Sequence, residues 1–248
     1  GAPLVPLYHA ALAHQLSKPL MVVNIGGVSN VTWIGSLESE GGLAPYASLT
    51  PAASGSRHKA LRMPEQAPII AFDSGPGNAL MDDWVFKHTG KRYDANGEMA
   101  SRGVIDTTVV SEFLRDPFFM KDAPKSLDRN KFAGISERLK HLSLEDGLAT
   151  LASMTACAIA LSFSAVPANP SQVLICGGGR HNAHLMGLLD ACVNAAVLPV
   201  ETVGWDGDML EAQAFAYLAA RSVLGLPLSL PTTTGVREAV SGGVLYSV

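Results

Sequence analysis

An α/β fold built on a mixed sheet is predicted for this chain by three features of its sequence. Two apolar, β-branched runs, Leu20–Ile25 and Val28–Ile34, flank Gly26-Gly27 and read as a hairpin. A third apolar run, 68–72, ends on Asp73; Ser74-Gly75-Pro76-Gly77-Asn78 and a helical pattern over 79–86 follow. The last third alternates strand 171–176, Gly177-Gly178-Gly179, helix 182–193, strand 196–200 and helix 208–224. The opening hairpin keeps the order from being a pure succession of parallel strand-helix units.

The elements between these follow from local chemistry. Residues 36–67 are rich in Ser, Ala, Gly and Pro without periodicity and are expected to form a mobile surface insertion. Its Arg57-His58-Lys59 and Arg62 read as a solvated loop before a polyanion contact. Residues 91–97 are a loop, and short helices are expected over 107–142. Ser143, with Asp146 three residues on, marks a helix start. The helix that follows, to about residue 165, is rich in small residues suited to close burial; Pro167 and Pro170 end it. The tail from 227 to 248 reads as loop with a short strand.

Composition narrows the function classes. The chain has 248 residues, 48% hydrophobic and 16% charged, enough for one large domain or two small ones with a filled core. A net charge of −4 leaves no broad electrostatic footprint for nucleic acid. No apolar run reads as long enough to cross a membrane, and residues 1–6 lack a basic signal-peptide region. Cys157, Cys176 and Cys192 read as reduced core thiols, which favours the cytoplasm. His181 and His184 lack a third ligand, so no metal site is expected. The chain opens on Gly1-Ala2-Pro3 without Met and is expected to be a fragment of a longer protein.

Candidate functional residues sit at the glycine-rich turns. Asp73, at the end of a buried strand before a tight turn and a helix, is a candidate general base. Asn24-Ile25-Gly26-Gly27 is either an ordinary hairpin turn or one whose amides face an anion. Gly177-Gly178-Gly179-Arg180-His181-Asn182 fits neither a Rossmann fingerprint nor a Walker loop. Its three glycines still let a flat ring or a phosphate approach the backbone. Glu211 precedes an apolar run and is expected to be partly buried, needing donors such as sugar hydroxyls; acids in a first helical turn otherwise complement the dipole. Lys125-Ser126 with Arg129 are either exposed cations or an anion contact. Asp82, Asp83 and Asp94 read as structural or solvent-facing, and no serine-nucleophile elbow is present.

In order along the chain, these motifs resemble those of the anhydro-N-acetylmuramic acid kinases, members of the actin / sugar kinase / Hsp70 ATPase superfold. The resemblance rests on Gly1 to Pro6, Asn24-Ile25-Gly26-Gly27 with Asn30, Phe72-Asp73-Ser74-Gly75-Pro76-Gly77-Asn78, and Tyr93-Asp94 with Gly97. It continues through Cys176-Gly177-Gly178-Gly179 with Asn182 and Glu211-Ala212 with Ala214-Phe215-Ala216. It implies an actin-like (ribonuclease H-like) lobe with a mixed five-stranded sheet over 19–248, a lobe-crossing segment over 1–18, and a first lobe mostly missing.

The implied activity is an ATP- and Mg²⁺-dependent kinase of peptidoglycan recycling that opens the 1,6-anhydro ring with water and phosphorylates O6. Asp73 is then the catalytic base. Gly75, Pro76, Gly77, Asn78 and Glu211 meet the sugar; Asn24, Gly26 and Gly27 meet the phosphates; Gly177, Gly178, Gly179 and Asn182 meet the adenosine. A homodimer is also implied.

The chain departs from the family pattern in lacking its opening phosphate loop, and in Asp128 and Asn130, where Gly and Glu are usual. A non-catalytic sugar- or nucleotide-binding module of the same fold, or a related carbohydrate kinase, is the alternative reading.

Overall fold

The computed structural model describes residues 4–36 and 68–246, so the expected insertion falls almost wholly outside the described residues. The chain opens with helix α1 (Pro6–Leu12), with Pro6 at a first-turn position where its missing N–H costs nothing. Strands β1 (Leu20–Ile25) and β2 (Val28–Ile34) then form the hairpin, with Val23 opposite Val31 and Ile25 opposite Ser29. Strand β3 (Ile69–Pro76) lies on the far side of β2.

The strand order is β3-β2-β1-β4-β5, where β4 is Gln172–Cys176 and β5 is Ala196–Pro199. β2 is antiparallel to β1 and β3, while β4 is parallel to β1 and β5. One strand therefore runs against the other four, the mixed five-stranded sheet that the sequence resemblance implied.

One boundary differs in a way that matters. The sequence ends the third strand on Asp73, but β3 runs on to Pro76, pairing Gly75 with Ser29 and Pro76 with Val28. A register shift between Ser29 and Asn30 lets the pairing continue through the glycine and proline. Asp73 is thus an interior strand residue opposite Asn30.

β1 is the central strand, and its alternate residues feed two cores. Met21, Val23 and Ile25 face one side with Val31, Trp33 and Phe72. Leu20 and Val22 face the other with Ile34, Ile69, the α1 residues Leu7 and Ala10, and Ala13 just after α1. The first core is completed by α2 (Ala79–Thr89), α3 (Thr107–Phe113), α4 (Ile135–Arg138), α5 (Leu144–Leu161) and α6 (Ala183–Cys192). Ser143 caps α5 by accepting from Asp146 N at 3.0 Å, as the spacing predicts. Small residues let α5 pack from several sides, and Gly147 is needed because a Cβ there would come within 2.5 Å of the Trp84 ring.

Two expectations need correcting here. The segment Leu144–Ala165, 22 residues, is long and apolar enough to cross a membrane, contrary to the sequence reading. Most of it is buried within the protein, where it serves as a core helix. Of the cysteines, all free, Cys176 is buried and Cys157 half-buried, but Cys192 is exposed. It ends α6, whose buried residues are Leu185 and Leu189, so the last turn projects past the core.

The second face carries α7 (Leu210–Val223), and α8 (Pro231–Thr234) packs against β3. The tail holds α8 and a single bridge between Ser229 and Val240 in place of a short strand.

A tight backbone contact lies at the turn after β3. Gly77 N and Ala79 N donate to Gly27 O at 3.0 and 3.2 Å, and Asn78 N donates to Gly26 O at 2.7 Å. A Cβ on Gly77 would sit 2.2 Å from Gly26 O, a backbone atom that cannot swing aside. The variant Gly77→Ala is therefore expected to lose about 1–3 kcal/mol of stability in denaturant titration. A midpoint equal to wild type would show that this contact does not constrain the fold.

Candidate active site

The C-terminal ends of β1 and β4 bring two glycine turns side by side, the usual place for a ligand in an open α/β sheet. Gly177, directly after β4, has φ of 74°, and a Cβ there would meet Asn24 Oδ1 at 2.3 Å and Ile25 O at 2.8 Å. Only glycine both adopts that backbone and lets the turn lie this close over β1. The cleft formed there has a volume of about 500 Å³. Asn24, Gly26, Gly27, Gly177, Gly178 and Glu211 line it, as do Val5, His9, Val28, Asn30, Cys176, Arg180, Asp208 and Phe215.

The other sequence candidates lie behind this lining. Asn78 donates Nδ2–H to Ile25 O at 3.0 Å, bracing the hairpin turn. Gly75 and Gly77 pack closely, a Cβ on Gly75 meeting Ala158 at 2.8 Å. Pro76 pairs with Val28, and Ser74 bonds Ser29 Oγ at 2.8 Å. Gly179 is a glycine because Ile25 fills its Cβ position at 2.4 Å. Asn182 caps α6, its Oδ1 accepting from Leu185 N at 2.9 Å.

Asp73 is buried, 6% exposed, on the same sheet face as Asn30. Its Oδ2 accepts from Leu127 N at 2.7 Å, while Oδ1 is buried with no hydrogen-bond partner among the described residues. Burial raises its pKa, and the Leu127 N–H opposes that only in part. The result is a buried carboxylate with one anchored oxygen and one without a partner among the described residues.

Glu211 departs from its expected burial. Only Leu210, Ala214, Leu218 and Arg221 of α7 are buried, a narrow stripe, so Glu211 stands exposed at the cleft mouth. An outer helix touches the protein along one line, and an apolar composition does not alter that.

Lys125 is likewise not an anion ligand. Its Nζ donates to Phe118 O at 3.2 Å and Phe119 O at 3.1 Å, over the Phe72 and Phe118 rings, and burial lowers its pKa. Ser126 and Arg129 are exposed. Asp94 accepts from Met99 N and Ala100 N at 3.0 and 2.9 Å, a structural cap as expected.

Sequence reasoning missed His9 and Arg180. His9 is 2% exposed, and its Nδ1 is 3.0 Å from Thr32 Oγ1. Burial lowers its pKa from 6.5 to about 4, so the ring is neutral at physiological pH. Nothing in a short apolar helix marked it out. Arg180 bonds Glu201 and Asp208, partners 21 and 28 residues away and invisible to local pattern.

Sheet order and glycine turns define an α/β lobe, a mixed five-stranded sheet flanked by helices, with a cleft at its strand ends. The chain belongs to the anhydro-N-acetylmuramic acid kinase family. That family's model, described as "Anhydro-N-acetylmuramic acid kinase", matches residues 1–42 and 58–248, leaving 43–57, inside the expected insertion, unmatched.

The anhydro-N-acetylmuramic acid kinase of Acidiphilium cryptum is 47% identical over 244 residues, covering 98% of this chain and 60% of that protein. The one of Rhodospirillum rubrum is 46% identical over 246 residues, covering 99% and 58%. The chain thus spans about 60% of the length of these curated relatives. A solved structure of a Clostridium difficile 2-hydroxyisocaproyl-CoA dehydratase activator with bound ADPNP is a distant likeness. Its TM-score is 0.46 at 12% identity, covering 89% of this chain and 68% of that one.

His9 yields a pH prediction. Its folded pKa lies below the unfolded value, so the stability it allows is complete above pH 6.5 and is lost as pH falls toward about 4. His9→Gln is expected to show a shallower loss of melting temperature over that window. Parallel melting curves for the two proteins would refute a buried neutral imidazole.

Proposed function

We propose that the full-length protein is an ATP-dependent kinase that opens the 1,6-anhydro ring of anhydro-N-acetylmuramic acid and phosphorylates O6, in peptidoglycan recycling. Asp73 carries the reading. A buried carboxylate with one oxygen fixed by Leu127 N and the other without a partner is costly to keep unless it does chemistry. A module that only bound sugar or nucleotide would have no need of it.

In the proposed reaction, water adds to C1 of the sugar and gives its proton to Asp73 Oδ1. The C1–O6 bond breaks, and O6 attacks the γ-phosphorus of ATP as the bond to the ADP oxygen breaks. The products are ADP, the ring-opened sugar 6-phosphate and a proton. The raised pKa of Asp73 suits this step, since a more basic carboxylate takes a proton more readily.

In this reading the Gly26 and Gly27 amides with Asn24 face the phosphates. Gly177 and Gly178 face the adenosine, backed by Gly179 and Asn182. Glu211 meets sugar hydroxyls from the cleft mouth, and the turn from Gly75 to Asn78 shapes the sugar side next to Asp73. Such phosphoryl transfer depends on position and charge neutralisation. Mg²⁺, when bound, supplies that neutralisation. Among the described residues no group of three or more metal-ligating side chains gathers, which suits a cation held chiefly by phosphates and water. A reducing, cytoplasmic setting fits the free cysteines and belongs to the same proposal, as does a homodimer.

Asp73→Asn is expected to lower kcat by about 10²–10⁴-fold, with the 6-phosphate product followed by mass spectrometry. The same change is expected to raise the melting temperature at neutral pH. Burial sets the folded pKa of Asp73 above the unfolded one, so its ionised form costs stability as pH rises through the folded pKa. That advantage of the Asn variant is expected to close below the unfolded pKa. Full turnover by Asp73→Asn would rule out this base.

A further inference from the structure

We propose that Arg180 is a positioning residue that locks the nucleotide half of the cleft to the Glu211 half, so that both substrates sense its loss. The inference rests on the kinase reading for the identity of those substrates. Its geometry stands on the structure alone.

The Arg180 side chain is 4% exposed. Three of its N–H donors go to three separate segments. Nη1 donates to Gly177 O at 2.9 Å, on the glycine turn after β4. Nε donates to Glu201 Oε1 at 2.8 Å, on the single helical turn after β5. Nη2 donates to Asp208 Oδ1 at 2.6 Å, in the loop that leads into α7. That loop closes round the guanidinium: a Cβ on Gly207 would come within 2.5 Å of both Arg180 Nε and Glu201 Oε1.

Glu211 lies one helical turn beyond Asp208. The guanidinium therefore sets where Glu211 stands relative to Gly177 and Gly178. The carboxylates remain hydrated, with Glu201 47% and Asp208 77% exposed, while the guanidinium is desolvated. Arginine suits this place because it holds its charge when buried and offers a planar fork to several acceptors. A lysine ammonium is a point charge and cannot hold three acceptors in that arrangement. Arg180 also lines the cleft but spends these donors within the protein, which makes it a support for the site.

The test uses the full-length protein with ATP and the anhydrosugar varied independently. Arg180→Ala and Arg180→Lys are each expected to raise KM for both substrates by about tenfold to a hundredfold. Added guanidinium is expected to restore part of the loss in Arg180→Ala but not in Arg180→Lys. Glu201→Gln removes the charge from one arm and is expected to raise both KM values less. Should Arg180→Ala fail to fold, Arg180→Lys and Glu201→Gln carry the test.

A rise in only one KM, or unchanged KM values with lower melting temperature alone, would overturn the coupling. If the wild type phosphorylates no anhydrosugar, the kinase reading fails on its own account. Calorimetric titration with ATP then still decides for Arg180: weaker binding by the Lys variant supports the lock, and unchanged binding overturns it.

Discussion

The structure depends on backbone packed directly on backbone where the β1–β2 turn meets the turn after β3. Three amides, of Gly77, Asn78 and Ala79, donate to the carbonyls of Gly26 and Gly27. No Cβ fits at Gly77. This contact satisfies groups that a buried turn would otherwise leave unpaired. It also fixes the end of β3 and the start of α2 against the hairpin. Gly177 then lies over Asn24 and Ile25, so a third turn joins the same end of the sheet. The cleft exists because side chains are missing where these turns meet.

Two buried charges near that cleft are managed in opposite ways. Asp73 is left short of donors, with only Leu127 N on one oxygen, so its burial is incompletely compensated. Arg180 is held on three sides, bonded to a carbonyl and two carboxylates. An under-satisfied group retains capacity to react with what enters the site. A group anchored from three segments resists displacement and holds its neighbours. Their surroundings separate the proposed base from the proposed support, although both are simply charged residues in the sequence.

The two helix layers differ in the same physical sense. α5 is packed from several sides, so small residues and continuous hydrophobicity are required, and the helix would suit a membrane by composition alone. α7 touches the protein along one stripe, and residues such as Phe215 stay exposed beside the cleft. Glu211 gains its access from that outer position, since none of the described residues packs over it to demand a partner.

The sequence by itself determined the hairpin, the order of strands and helices, the cap at Ser143 and the importance of the glycine turns, because periodicity and turn chemistry act over a few residues. It also carried the resemblance to the family to which the chain proves to belong. The tertiary structure alone decided that β3 continues through Asp73 to Pro76, since that pairing depends on a bulge in β3 that leaves Ser74 out of register with β2. It alone turned Lys125 inward over Phe72 and Phe118, put His9 against Thr32, and joined Arg180 to Glu201 and Asp208. Each of these unites residues far apart in the chain, and no local propensity encodes which distant carbonyl, ring or carboxylate the fold will bring within reach.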